Sequence, residues 1–189
     1  MGAPRVRTRV KVCGITRVHD ARVAAEAGAD AIGLVFYPQS PRYLSGERAV
    51  EIRDALPPFV QTVALFVNPD AAQVAQVLQR VRPALLQFHG DETPEFCAQF
   101  GVPFVKACRV KTQAAQADLL EYLRPFSRAA AWLFDSYVAE YGDHDDGQRY
   151  GCGYAQANAS RTGIQFAGPG PRQFARFVFT QHRRILTPV

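Results

Sequence analysis

The sequence predicts a single α/β domain, a parallel sheet closed into a (β/α)8 barrel. Three observations predict it. Short apolar runs alternate with longer amphipathic ones, and the connections between them are only a few residues long. The apolar runs are apolar throughout, as strands are when both faces are covered. No glycine-rich dinucleotide fingerprint and no large insertion interrupts the regular spacing, which favours a closed barrel over an open doubly wound sheet.

Taken in order, Val10–Ile15 reads as the first strand and Asp20–Ala27 as the first helix. Thr16 and Asp20 bracket the start of that helix, and Gly28 is a natural residue to end it. Ala31–Phe36 is the second strand, followed by the polar loop Tyr37–Leu44. Ser45 caps a second helix that runs through Ala55 and stops at Pro57-Pro58. Gln61–Phe66, Ala84–Phe88 and Phe104–Ala107 read as strands three to five, and Asp70–Val81 as the third helix. Thr93, with Pro94 at the first helical position, opens the fourth helix, and Gly101 follows it. Gln113–Leu123 is the fifth helix, and Ala129–Phe134 the sixth strand, ending at Asp135. From Tyr141 the pattern weakens: Gly142–Gly147 is a polar loop, and Gly163–Gly168 reads as one more strand. Pro169–Val189 holds four arginines and no acid, and no eighth strand is recognisable in it.

Composition bounds the function. With 189 residues, one domain with a real core is expected, residues 1–189. The net charge of +5, from 22 basic and 17 acidic residues, is too small and too scattered to argue for nucleic acid. The four cysteines, Cys13, Cys97, Cys108 and Cys152, form no CxxC pair and no histidine cluster accompanies them, so no metal site is expected. Met1–Arg9 is basic but no apolar segment follows, and no run approaches the roughly 20 residues that cross a bilayer. A cytoplasmic protein with reduced thiols and no membrane partner is the expectation.

In a parallel barrel, chemistry collects at the C-terminal ends of the strands. Those ends carry Cys13, Tyr37 to Arg42, Asn68, Gln87 and His89, Lys106, Asp135 and Gly168. A thiol, a carboxylic acid, an arginine and an imidazole suit acid–base work on an anionic organic molecule, with no metal. Each has a plainer alternative. Cys13 could be a small buried hydrophobe. Asp135 could cap a turn, His89 could be hydrogen-bonded within the fold, and Arg42 could be a solvated surface charge. Lys106 could pair with a neighbouring acid, and Cys97 and Cys108 read as packing residues.

Together these segments resemble a known family. Lys11-Val-Cys-Gly-Ile-Thr16, Ala25-Glu-Ala-Gly-Ala-Asp-Ala-Ile-Gly-Leu-Val-Phe-Tyr-Pro-Gln-Ser-Pro-Arg42, Leu65-Phe-Val-Asn68, Leu86-Gln-Phe-His-Gly-Asp-Glu92 and Leu133-Phe-Asp135 are similar to phosphoribosylanthranilate isomerases of tryptophan biosynthesis. The likeness covers residues 10–142, in order and spacing. It implies a TIM-barrel fold and an Amadori rearrangement of an aldose to a ketose, without cofactor. It also implies roles: Cys13 as general base, Asp135 as general acid, and Arg42 on the anthranilate carboxylate. Gln87 and His89 match positions lining the same pocket. The implied partner is a small phosphosugar, and the implied state a monomer or homodimer.

The resemblance stops short of the end. Family members hold the substrate phosphate on the loops after strands seven and eight, where strand seven usually ends Ala-Gly-Gly-Leu. Here Phe166-Ala-Gly168 fits, but Pro169 follows, and proline has no N–H to give. Nothing in Arg172–Val189 matches the expected Asp-Val-Ser-Ser-Gly segment, and Asp143–Gly153 stands where Gly-Thr-Gly and Phe-Asp-Trp are expected. Residues 143–189 are therefore read as divergent, through a truncation or a shift of reading frame, with impaired activity expected. A barrel without its eighth strand leaves unpaired edges on strands one and seven. The alternative function is that of a catalytically inactive barrel remnant acting as a binding protein.

Overall fold

The computed structural model describes residues 9–110, 121–136, 165–167 and 174–181. Six strands follow one another in parallel: β1 (Arg9–Cys13), β2 (Ala31–Val35), β3 (Gln61–Phe66), β4 (Leu85–Phe88), β5 (Phe104–Val110) and β6 (Ala131–Ser136). Helices α1 (Val18–Glu26), α2 (Gly46–Asp54), α3 (Ala71–Val81) and α4 (Pro94–Ala98) cross over between the first five of them. Of the expected fifth helix, residues 121–123 are helical, and residues 111–120 lie outside the described residues.

The alternation of side chains along each strand sorts the core into two layers. Ile32, Leu34 and Phe36, with Ala64, Phe66, Leu86, Phe88 and Phe104, face the helices and meet Ala21, Ala49, Ile52, Val74 and Cys97 there. Phe66 stacks against Phe36 and Phe88 at centroid distances of 5.6 and 6.1 Å. The opposite face holds Val105, Ala107 and Leu133 in one cluster and Cys13, Val35, Leu65 and Val67 in another. That second cluster sits at the C-terminal ends of β1–β3.

Helix starts follow their caps. Ser45, Asp70 and Thr93 each accept a hydrogen bond from the backbone N–H three residues on, at 3.3, 2.7 and 3.2 Å. The first helix starts earlier than the sequence predicts. Asp20 does not cap it; it lies in the first turn, where Arg17 grips its carboxylate with two N–H bonds of 2.8 and 2.9 Å. An acid there complements the helix dipole.

Two corrections concern the tail. A strand, β8 (Phe174–Gln181), pairs in parallel with β1 from Arg9↔Phe177 to Cys13↔Gln181, so the edge of β1 is paired rather than open. Its sequence still carries none of the family-type residues. Strand β7 (Gln165–Ala167), expected as one more parallel strand, pairs antiparallel with β8. The physical reason is the length of the connection. Residues 168–173 alone join Ala167 to Phe174, and a parallel crossover needs a dozen residues or more. The sheet order is β6-β5-β4-β3-β2-β1-β8-β7, and its two outer strands approach with Cα atoms within 8 Å.

Candidate active site

The β-branched alternation Val10-Lys-Val12 extends the first strand, and Cys13 is its last residue. Gly14 then turns the chain with φ of +82°, a conformation that glycine adopts without strain. Glycine is needed there for a second reason. A β-carbon on it would lie 2.6 Å from Cδ and 2.8 Å from a guanidinium nitrogen of Arg42. Arg42 therefore lies against the turn that follows Cys13.

The loop that carries Arg42 is folded back on β2 rather than spread in solvent. Ser40 N–H donates to Tyr37 O at 2.9 Å, Tyr43 N–H to Ser40 O at 3.0 Å, and Arg42 N–H to Ser40 Oγ at 3.2 Å. Leu44 N–H closes the loop on Val35 O at 2.9 Å.

Beneath the thiol, β2 presents Gly33 in register with Cys13. A β-carbon on Gly33 would fall 2.6 Å from Cys13 Sγ and 2.9 Å from Lys11 Nζ. The missing side chain opens a slot, and the thiol and the ammonium group both enter it. Lys11 and Cys13 are 5% and 1% exposed, so water does little to screen them from each other.

From β4, the buried Gln87 places its amide nitrogen 3.1 Å from Nδ1 of the buried His89. An amide NH2 can only donate, so Nδ1 accepts and the neutral ring carries its proton on Nε2. The backbone N–H of His89 is held by Phe66 O at 2.9 Å.

Behind these residues lies a buried ion pair. Lys106 Nζ is 2.7 Å from Glu92 Oε2 and 2.5 Å from Gly90 O, with both side chains almost fully buried. Glu92 also accepts from the N–H groups of Asn68 at 2.9 Å and Gly90 at 3.0 and 3.1 Å. The loops after β3 and β4 are thereby tied together. Cys97 and Cys108 belong to the packed layers. Burial pushes their thiols up to about 12 and about 11, with Lys106 pulling the other way on both.

One cleft is lined by Cys13, Val35, Tyr37, Ser40, Arg42, Leu65, Val67 and His89. Three of the residues singled out from the sequence thus meet: a thiol, a guanidinium and an imidazole. Among the described residues, no group of three or more His, Cys, Asp or Glu could hold a metal, and no helix is long and apolar enough to cross a membrane.

The family model for N-(5'-phosphoribosyl)anthranilate isomerase matches residues 10–149. The chain belongs to the phosphoribosylanthranilate isomerase family. The isomerase of Bordetella pertussis is 46% identical over 166 residues, spanning 86% of this chain and 76% of that protein. That of Alcanivorax borkumensis is 54% identical over 131 residues, 69% of this chain and 59% of that one. The crystal structure of the Thermotoga maritima isomerase superposes with a TM-score of 0.64 at 38% identity, covering 72% of this chain and 65% of that one. The chain thus spans about three quarters of the Bordetella isomerase and just under two thirds of the Thermotoga one. A crystal structure of a phosphoribosylanthranilate isomerase in complex with reduced 1-(o-carboxyphenylamino)-1-deoxyribulose 5-phosphate matches with a TM-score of 0.60 at 34% identity, covering 70% and 77% of the two chains.

Set against the family's implied roles, the residues fall into three groups. Cys13, Arg42 and His89 line the cleft, and Gln87 reaches it through His89. Asp135 lies in β6 in register with Arg109, but its side chain is outside the described residues. Gly168 is also outside them; the strand before it runs antiparallel to β8, so Ala167 lies at the opposite end of the sheet from Cys13. Asn68 and Lys106, noted at strand ends, serve the loop network instead. Gly33 and Glu92 were not singled out from the sequence. An isolated glycine within an apolar strand was the available signal for Gly33, because such a glycine often marks a close approach.

Proposed function

We propose that this chain catalyses the Amadori rearrangement of N-(5-phosphoribosyl)anthranilate to 1-(2-carboxyphenylamino)-1-deoxyribulose 5-phosphate, an aldose–ketose isomerisation of tryptophan biosynthesis. The observation that carries this reading is the convergence of Cys13, Arg42 and His89 on one cleft at the strand ends of a chain of this family. Asp135 acts as general acid. It protonates the furanose ring oxygen, and the ring opens to a Schiff base at C1. Cys13, as thiolate, then removes the proton from C2. The resulting enolamine tautomerises to the ketone. Arg42 offers a planar fork to the planar anthranilate carboxylate. His89, its Nδ1 occupied by Gln87, presents an Nε2–H donor to the bound substrate. No cofactor enters the scheme. The protein acts in the cytoplasm, as a monomer or homodimer.

Residues 1–189 form one domain in this proposal, with 10–142 family-like and 143–189 divergent. Reduced turnover is expected, because the tail lacks the family's phosphate-binding segments. Resequencing the gene tests whether a shifted frame underlies the tail: a family-like strand eight in another frame supports it, and its absence ends the idea.

A second reading, an inactive remnant that binds a partner, draws on one observation. The antiparallel β7 removes one of the two strand ends from which family members hold phosphate. An isomerase assay on purified protein, with Cys13→Ser and Asp135→Asn, separates the two readings. Catalysis predicts measurable turnover that falls by about 10²–10⁴-fold in each variant. Turnover that survives either change defeats the acid–base assignment. A parent that unfolds cooperatively but shows no turnover supports the remnant.

A further inference from the structure

We infer that Lys11 is a positioning residue that holds Cys13 as its thiolate, and that Gly33 is glycine to let the two groups meet. This rests on Cys13 being the base of the proposed isomerisation. The geometry is specific. Sγ of Cys13 and Nζ of Lys11 lie 2.6 and 2.9 Å from the point that a β-carbon on Gly33 would occupy. Two residues apart on β1, they share a face of the strand, and both are buried. An ammonium group that shares a buried slot with a thiol, poorly screened by water, favours loss of the thiol proton to solvent and a thiolate–ammonium pairing in its place.

Other charged or titratable groups also face this end of the barrel. Tyr37 and Arg42 from the loop after β2, and His89 from β4, line the same cleft. Strand β6 contributes Asp135 in sequence, and β8 pairs the uncharged Gln181 with Cys13. Arg42 is the rival for the same role, since it lies against Gly14. Its Cδ and a guanidinium nitrogen lie 2.6 and 2.8 Å from the β-carbon position of Gly14, against the turn, whereas Lys11 Nζ shares the Gly33 slot with Sγ itself. Lys11, enclosed in the slot, is placed to act on the thiol before substrate arrives.

The test reads the thiol directly and needs no substrate. Alkylation by iodoacetamide is followed against pH, with Cys13 resolved from the other cysteines by peptide mass spectrometry. In the parent, the Cys13 midpoint falls below the roughly 8.5 of an ordinary thiol. Lys11→Met raises that midpoint and slows alkylation at neutral pH by about tenfold or more, while Lys11→Arg, which keeps the charge, recovers part of the loss. Gly33→Ala shifts the midpoint the same way by driving the two groups apart. A parent midpoint at the ordinary value overturns the inference without any variant. So does an unchanged midpoint in folded Lys11→Met, or a shift in Arg42→Met that Lys11→Met does not produce. A parent that lacks isomerase turnover yet keeps a low Cys13 midpoint defeats the proposed function alone.

Discussion

Cys97 and Cys108 lie in the same sheet-and-helix architecture as Cys13, but their surroundings differ. Each is buried, and burial raises its thiol, to about 12 for Cys97 and about 11 for Cys108, although Lys106 pulls both the other way. Both stay protonated at neutral pH, so neither is expected to be alkylated in native protein at pH 7.5. Labelling of either at the rate of a free thiol would contradict their burial. A stability consequence follows. In the unfolded chain these thiols titrate near their ordinary value of 9.0. Their contribution is full below that pH and is lost as pH rises toward 11 to 12, because the unfolded state releases protons that the folded state keeps. Urea unfolding at pH 7.5 and pH 10 is expected to show this loss, and Cys97→Ala to reduce it. Gly90 gives a second residue-scale prediction. A β-carbon there would meet Asn68 Oδ1 at 2.2 Å and the Asn68 backbone nitrogen at 2.7 Å. The backbone contact cannot rotate away, so Gly90→Ala is expected to cost about 1–3 kcal/mol in urea unfolding.

Between elements, the Glu92–Lys106 pair is what fixes the loops of the cleft. Lys106 stands on β5, Glu92 precedes α4, and their joint partners are Gly90 and Asn68 in the loops after β4 and β3. Asn68 itself takes a left-handed φ of +46° and returns its Oδ1 to the N–H of Asp91 at 2.7 Å. Removing one partner leaves the other charge buried without its counter-ion. Lys106→Met is expected to destabilise by about 3–5 kcal/mol, and Glu92→Gln with Lys106→Met by clearly less than the sum of the single changes. Additive losses in chemical denaturation would show that the two do not act as a pair. The arrangement also locates His89, whose neighbour Gly90 is held by both ends of the pair.

At the scale of the whole molecule, stability depends on how β1 finds its second neighbour. Strand β1 carries Lys11 and Cys13 and is paired by β2 on one side and β8 on the other. A chain lacking residues 174–189 would leave one side of β1 with unpaired backbone groups beside the cleft. That deletion is expected to lower the thermal midpoint by several degrees and to raise the associated fraction in size-exclusion chromatography. Unchanged melting and elution would mean that β8 adds nothing to the fold.

The order and type of the first six strands were legible in the sequence, because each is a short apolar run bounded by proline, glycine or a capping residue. So were Cys13, Arg42 and His89, since a parallel βα repeat sends every strand end to one rim. Other features depend on distances between residues far apart in sequence. Nothing in Lys11, Cys13 and Gly33 as letters says that an ammonium and a thiol share the space that a missing side chain leaves. Gln87 gains its meaning only where it meets Nδ1 of His89. The direction of β7 is set by the six-residue connection to β8 and by which neighbour β8 can pair with. The sequence by itself determined which groups arrive at the rim, through strand period and turn chemistry. Tertiary structure decided which of them touch, because register across β1, β2 and β8 sets their separation to within an ångström or two, and pattern along one strand does not.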